Sequence, residues 1–437
     1  MFTGLAESYP PQGVTEAQRV DALMTRGNQA RELARMGEVL ALCAINDIHD
    51  RRSPPDAILP KKAFILRQLK HPDEVYRLRK VYGDGFHLVG LYCPRDDRER
   101  HLRIQYGMSD EDIKKLIDRD EEERDRFGQH VRDTFHMSDV FFSIGADGGG
   151  IEEDVERWID LLFVLKIHGP TKEEFGMFHA FGASLRSAQL SRQVGAAILT
   201  DRGDIISVGS NEVPCSGGGQ YWERARYDKR DHQLGMDSND VIKKEILIEA
   251  LSVSDPNWNT FTADQQASRL SEFQSNLRGS RLGNLTEFIR AVHAEMEAVL
   301  SAARSGISTR RTILYCTTFP CHNCAKHIID AGIKRVVYIE PYAKSLSSTL
   351  HEDAISLEKP APNRITFAPF VGVAPRRYSD LFSMKTKEGR EIPRKDSEGK
   401  VLQRDEPELR LRMQHFSALD QENNAAHELL EIIGEDQ

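Results

Sequence analysis

Residues 312–340, TILYCTTFPCHNCAKHIIDAGIKRVVYIE, decide the fold of the second half of the chain. TILYCTT is β-branched and aromatic and reads as a strand; CHNCAKHIIDAG reads as a helix; RVVYIEP reads as a second strand. A strand, a crossover helix and a strand form a βαβ unit. Working outward, HAEMEAVLSAARSG (293–306) is a further helix, and VGAAILT, the turn DRG and DIISVGSNEV form a hairpin. KEEFGMFHAFGASLRSAQLS (172–191) is the helix that opens this unit, and 215–285 is a polar, Gly-rich insertion with helices of its own.

Two motifs in this frame carry chemistry. Pro320-Cys321-His322-Asn323-Cys324 places two thiols three residues apart at a helix start, so both sulfurs can face one point. That helix start favours negative charge, and Pro320 fits there because a missing N–H costs little. His293 supplies an imidazole, giving three of the four ligands of a tetrahedral zinc ion (Zn²⁺). The open fourth position marks a catalytic site, at which zinc brings the pKa of a water to about 7. Glu295, two residues after His293, is placed to shuttle a proton without ligating. No second C-x-x-C or C-x-x-H stands in the sequence to complete a structural site. The H-x-E…P-C-x-x-C pattern resembles that of the zinc nucleobase deaminases.

The first 168 residues alternate helical and strand-like stretches. Helical spacing runs through residues 15–49; FHLVGLY (86–92) and DVFFSIG (139–145) are short strands; KKLIDRDEEERDRFGQHVRDTF and IEEDVERWIDLLFVLKI are helices. Strands separated by helices predict a parallel α/β sheet. Gly148 to Gly150 is a loop, and His168-Gly169-Pro170-Thr171 is a linker. From about residue 386 the chain is highly charged and closes with an amphipathic helix, SALDQENNAAHELLEII.

Composition narrows the partners. A formal charge of −9 over 437 residues gives no basic footprint for a polynucleotide. Six cysteines (Cys43, Cys93, Cys215, Cys316, Cys321, Cys324) are few and uneven for a disulfide framework. The opening MFTGLAESYPPQG is not a signal peptide, and no apolar run approaches the roughly 20 residues that span a bilayer. A reduced, cytoplasmic protein without a membrane segment is expected. Cys43, Cys93 and Cys316 are expected in cores, and Cys215 and His232 in a surface loop.

From about 173 to 385 the chain resembles the deoxycytidylate deaminase family, through LRSAQLSRQVGAAILTDRGDIISVGSNEVP, HAEMEAVLSAARSG and LYCTTFPCHNCAKHIIDAGIKRVVYIEPY. The resemblance implies a cytidine-deaminase-like fold, a five-stranded mixed sheet flanked by helices. It also implies zinc as cofactor, a free deoxycytidine nucleotide (dCMP or dCTP) as substrate, and a homo-oligomer. Asn211 matches the family asparagine that contacts the sugar; a turn-forming Asn is the other reading. Thr317, Thr318 and Phe319 precede the cysteines and are candidates to line the base pocket. Arg376 and Arg377 are candidates for a substrate phosphate or for a surface contact, as are Arg186 and Arg192.

The whole chain resembles a two-domain bacterial anti-phage subgroup, in which a P-loop-kinase-like region precedes the deaminase. The stretches are AFILRQLKHPDEVYRLRKVYGDGFHLVGLY, IDRDEEERDRFGQHVRDTFHMSDVFFSIG, GGGQYWERARYDKRDHQLGMDS and FAPFVGVAPRRYSDLF. That implies depletion of deoxycytidine nucleotides during infection and, in some members, restraint by a regulatory RNA. No G-x-x-x-x-G-K-[ST] stands in the sequence, so region 1–168 is read as lacking the phosphate loop, by truncation or by loss. The competing readings are a single-stranded nucleic acid or tRNA deaminase and a housekeeping dCMP deaminase supplying dUMP.

Overall fold

The computed structural model describes residues 13–434 except 55, 56, 60, 122, 124, 146–149, 278, 279, 281, 285, 286, 342–344, 403 and 405. The opening stretch up to Gln12 and the loop glycines Gly148 and Gly149 therefore lie outside the described residues. The chain divides into two compact units: Met1–Glu174 with Pro369–Gln437, and Phe175–Ala368.

In the first unit, α1 (Glu16–Ala34) starts at a capping box, in which Thr15 Oγ1 accepts from Gln18 N (3.3 Å) and Gln18 Oε1 accepts from Thr15 N (3.0 Å). It is followed by α2 (Val39–Asp50), α3 (Pro72–Tyr82), β1 (Val89–Tyr92), α4 (Arg95–Tyr106), α5 (Asp110–Glu121), β2 (Val140–Ser143) and α6 (Glu152–Phe163). The helix expected over 114–135 is broken: a short helix spans Val131–Phe135, and the longer one stops at Glu121. Its apolar contacts end with Ile113, Leu116 and Ile117, and Glu121 to Arg126 are all charged, leaving nothing to bury.

The boundary between the units falls inside α7 (Lys172–Ser184). The second unit contains β3 (Gly195–Leu199), β4 (Ile205–Ser210), α8 (Ser238–Ser254), α9 (Ala263–Asn276), α10 (Ala294–Arg304), β5 (Ile313–Thr318), α11 (His322–Asp330), β6 (Arg335–Glu340), β7 (Ile355–Leu357) and β8 (Ile365–Pro369). Its sheet is mixed, with strand order β4-β3-β5-β6-β8-β7, one strand more than the five expected. β3 pairs antiparallel with β4 and with β5, while β5 runs parallel to β6 as the crossover helix requires.

Alternation along the strands splits their side chains between two faces. Ala196, Ile198, Leu314, Cys316, Val336 and Phe367 form one core with Ala294 and Ala298 of α10 and Cys324, Ala325 and Ile328 of α11. On the other face, the Tyr315 ring packs against Gly176 of α7. Helices thus cover both faces, as the α/β reading predicts.

The first unit is completed by chain that returns after the second. Residues 369–434 pack here, where the sequence reading set a deaminase boundary at 385 and a separate extension beyond it. The strand β9 (Gly372–Val373) pairs antiparallel with β2, opposite the parallel partner β1, so this small sheet is mixed rather than all parallel. The anchor is Glu174, fully buried. Its carboxylate accepts from Val373 N (2.8 Å) and pairs with Arg157 (2.8 Å). The terminal helix α12 (His415–Gly434) inserts Ala425 and Leu429 among Val39, Leu42, Ile45 and Leu78.

Small residues let helices approach the second sheet closely. A Cβ on Gly209 of β4 would sit 2.2 Å from Ala294 O and 2.4 Å from Ala298 N. We expect Gly209→Ala to lose about 1–3 kcal/mol in urea unfolding, because backbone must move to admit the methyl. Gly182→Ala, where the methyl meets nothing within 4 Å, should be neutral or stabilise by up to about 1 kcal/mol. Equal effects at the two positions would contradict this packing.

Candidate metal centre and active site

Two helix starts converge at the end of the sheet. His293 is the N-cap of α10, in extended backbone (φ −65°, ψ 151°), and its carbonyl accepts the first helical bond from Glu297 N at 2.8 Å. The chain before it is held by Val292 N donating to Glu212 O (3.0 Å). Glu212 is itself fully buried and accepts from Ala188 N (2.9 Å) and Val213 N (2.8 Å). Cys321 is the N-cap of α11 (φ −68°, ψ 165°), reached directly from β5 through Phe319, whose N–H bonds Glu340 O at 2.8 Å.

The outcome is a compact donor set. His293 Nδ1 lies 3.4 Å from Cys321 Sγ and 3.3 Å from Cys324 Sγ, and the three donor atoms all fall within 4.8 Å of one another. Zinc bonds of ordinary length at a tetrahedral angle place N and S about 3.6 Å apart. The residues therefore fit a zinc ion with two thiolates and one imidazole. The protonation pattern agrees. Donation from the Cys324 thiol, with the His293 ring adding to it, holds Cys321 down to about 4 against the opposing effect of burial. Its hydrogen bond with Cys321 pushes His293 up to about 9, although burial opposes this. Without metal, a proton and a thiolate occupy the place that suits a cation.

Glu295, in the first turn of α10, is 5% exposed. Burial raises its carboxyl above the usual range, while the His293 charge pulls the other way. Cys316, on the strand beneath, is buried as expected and its thiol is pushed well up by that burial. Beside the donor set is a cavity of about 240 Å³ lined by Glu287, Val292, His293, Asn323, Lys326 and His327 among others. Asn323, Lys326 and His327 were missed by the sequence reading. Their signal is helical spacing: they lie three and four residues apart, so one face of α11 carries all three.

The other expected residues are placed as follows. Asn211 uses its amide on backbone: Oδ1 accepts from Val194 N (2.7 Å) and Nδ2 donates to Arg192 O (2.8 Å), leaving one amide hydrogen for a ligand. Thr318 is buried and donates to Glu340 Oε2 (3.2 Å), and Glu340 also pairs with Arg192. Thr317 Oγ1 accepts from Gly195 N (3.1 Å), and Phe319 packs edge-on against Tyr338 and Phe367. Arg186 donates to Ser210 Oγ (2.9 Å) and Tyr221 O (2.9 Å) and stacks 3.9 Å over the Trp222 ring.

Arg376 and Arg377 belong to the first unit. There Arg376 donates to Met137 O (3.1 Å), and buried Arg377 pairs with Asp139 and Asp84 (3.0 Å each). His232 has Glu223 and Asp228 as neighbours in a second cluster of metal-type ligands, but Arg230 already pairs with both carboxylates.

The second unit thus carries a three-donor thiolate–imidazole set beside a buried carboxyl, on a helix-flanked mixed sheet. Residues 170–340 match the family model for the cytidine and deoxycytidylate deaminase zinc-binding region. The chain is 48% identical over 54 residues to the deoxycytidylate deaminase of Enterobacteria phage T4, covering 12% of this chain and 28% of that protein. It is 24% identical over 212 residues to the deoxycytidylate deaminase of Mus musculus, covering 48% of this chain and 81% of that protein. The match thus spans less than a third of the length of the phage relative. A dCMP deaminase structure from the cyanophage S-TIM5 shares 19% identity, covers 46% of this chain and 99% of that chain, and gives a TM-score of 0.26. Within this region the chain is similar to cytidine and deoxycytidylate deaminases.

The charge pattern has a direct readout. In metal-free protein at pH 6, above the Cys321 value of about 4, Cys321 is thiolate and should alkylate with iodoacetamide first. Cys316 and Cys324, both buried and raised, should lag. Peptide mapping that finds all three modified at one rate would contradict the arrangement, and added zinc should protect Cys321.

Proposed function

We propose that residues 175–368 form a zinc-dependent hydrolytic deaminase of free deoxycytidine nucleotides, dCMP or dCTP. The observation that carries this reading is Glu295, a buried carboxyl two residues beyond a metal-type ligand. A purely structural zinc site has no use for such a group, whereas hydrolysis of an amidine requires a proton carrier. His293, Cys321 and Cys324 would hold the ion, and zinc when bound supplies Lewis-acid activation of a water nucleophile.

The protein's own part is proton movement and positioning. Glu295 takes the proton released as water adds to C4 of cytosine and passes it to N3; it then takes the proton of the new C4 hydroxyl and delivers it to the departing amine as the C4–N bond breaks. Water and the cytosine amine become a uracil carbonyl and ammonia, so the carboxylate is regenerated. Burial of Glu295 suits the task, because a raised carboxyl is a better base once ionised and a ready acid once protonated. Asn211 keeps one amide hydrogen for a sugar oxygen, and Thr318 contributes to the base pocket. Assembly into a homo-oligomer, restraint by a regulatory RNA and depletion of deoxycytidine nucleotides against phage belong to the same proposal. They rest on the sequence resemblance.

Full-length protein assayed on dCMP, dCTP, CMP, CTP and single-stranded DNA tests this. We expect deamination of the deoxynucleotides, and a drop of about 10²–10⁴ in rate for Glu295→Gln with zinc content unchanged. Activity confined to the oligonucleotide, or an unimpaired Glu295→Gln, would overturn the proposal.

A further inference from the structure

The first unit contains a cleft where the chain leaving α6 meets the segment after residue 390. Its shape is fixed by backbone bonds, Arg410 N to Leu162 O (2.9 Å), Glu408 N to Phe163 O (2.9 Å) and Leu402 N to Arg394 O (3.0 Å). Lys166, His168, Arg394, Arg404 and Arg410 line it, with Asp160 as the one acidic lining residue among the described residues.

Charge in this cleft does not balance. Asp160 Oδ2 is already engaged by His168 Nε2 (2.8 Å) and Lys166 Nζ (3.3 Å). Arg404 reaches Glu408 (3.1 Å), a carboxylate it shares with Arg412 (3.0 Å) and Arg390. Arg394 donates to the Phe382 carbonyl (3.4 Å). Arg410 is 6% exposed and donates to two carbonyls, Ser383 O (2.7 Å) and Asp380 O (3.3 Å), while its Nε has no partner. Among the described residues no carboxylate lies within ion-pair distance of Arg394 or Arg410. Burial, together with the Arg394 and Arg404 guanidiniums, lowers the proton affinity of Arg410. A buried charge is ordinarily paired; this one feels the Arg394 and Arg404 guanidiniums, offset only in part by the more distant Asp380 carboxylate.

We infer that the cleft is an anion site that takes one phosphoryl group, held by Arg394, Arg404 and Arg410. Guanidinium forks match the oxygens of a phosphate. The cavity, about 30 Å³, admits a group of a few heavy atoms and leaves a base or sugar outside. The same chemistry serves inorganic phosphate and the terminal phosphate of a nucleotide. No glycine-rich loop takes part, so the site is independent of the phosphate loop that the sequence lacks.

Thermal unfolding of full-length protein tests the inference, with potassium phosphate compared with potassium chloride at equal ionic strength. A parallel arm uses magnesium-free ATP, a nucleotide without cytosine. We expect phosphate to raise the melting temperature beyond chloride, with at least tenfold weaker apparent affinity in Arg394→Gln and in Arg404→Gln. Both side chains are partly exposed and can be replaced without opening the core. An Arg394-dependent response to ATP at lower concentration than phosphate identifies a nucleotide as the source; equal responses identify free phosphate. Stabilisation no greater than that by chloride, or an Arg394→Gln variant that responds like the wild type, would overturn it.

Discussion

The convergence of two helix N-termini, those of α10 and α11, is the constraint on which the second unit depends. Each brings unsatisfied N–H groups and a positive dipole end to the same place, where Cys321 carries negative charge readily. The fold reaches this arrangement by close packing. Gly209 lets α10 lie almost in contact with β4, and the short path from β5 through Pro320 sets Cys321 at the cap of α11. Glu295 is buried because it sits in the first turn of a helix already pressed on the sheet. The chemistry and the packing therefore share residues.

Much of this unit was legible in the sequence because its signals are local. The strand–helix–strand reading of 312–340 needed only β-branched runs and a helix start, and the observed elements fall within two residues of it. Ligand spacing in His293, Cys321 and Cys324 is likewise local, apart from the meeting of the two motifs. What could not be read was long-range. β9 is two residues long and has no periodicity; it exists because Glu174, some two hundred residues earlier, accepts the Val373 N–H. The amphipathic pattern of α12 was visible, but nothing in it names α2 and α3 as its partners. Arg376 illustrates the same limit: an exposed-looking basic pair turned out to be packed on Asp139, a buried carboxylate far away in sequence.

The first unit relies heavily on buried ion pairs. Arg31 with Glu74 and Arg52 with Glu422 are nearly inaccessible and join segments distant in sequence, the second tying α12 to the chain after α2. Such pairs add little net stability after desolvation but strongly disfavour arrangements that separate them. They are a reason for the returning chain to close on this unit in one register.

The proposed function requires that the chain hold one zinc ion through two thiolates and an imidazole with a fourth position open. Zinc-edge X-ray absorption on the purified protein addresses it most directly. The account predicts two sulfurs at about 2.3 Å and two lighter atoms at about 2.0–2.1 Å. A shell of four sulfurs, or purified folded protein that takes up no zinc, would contradict it.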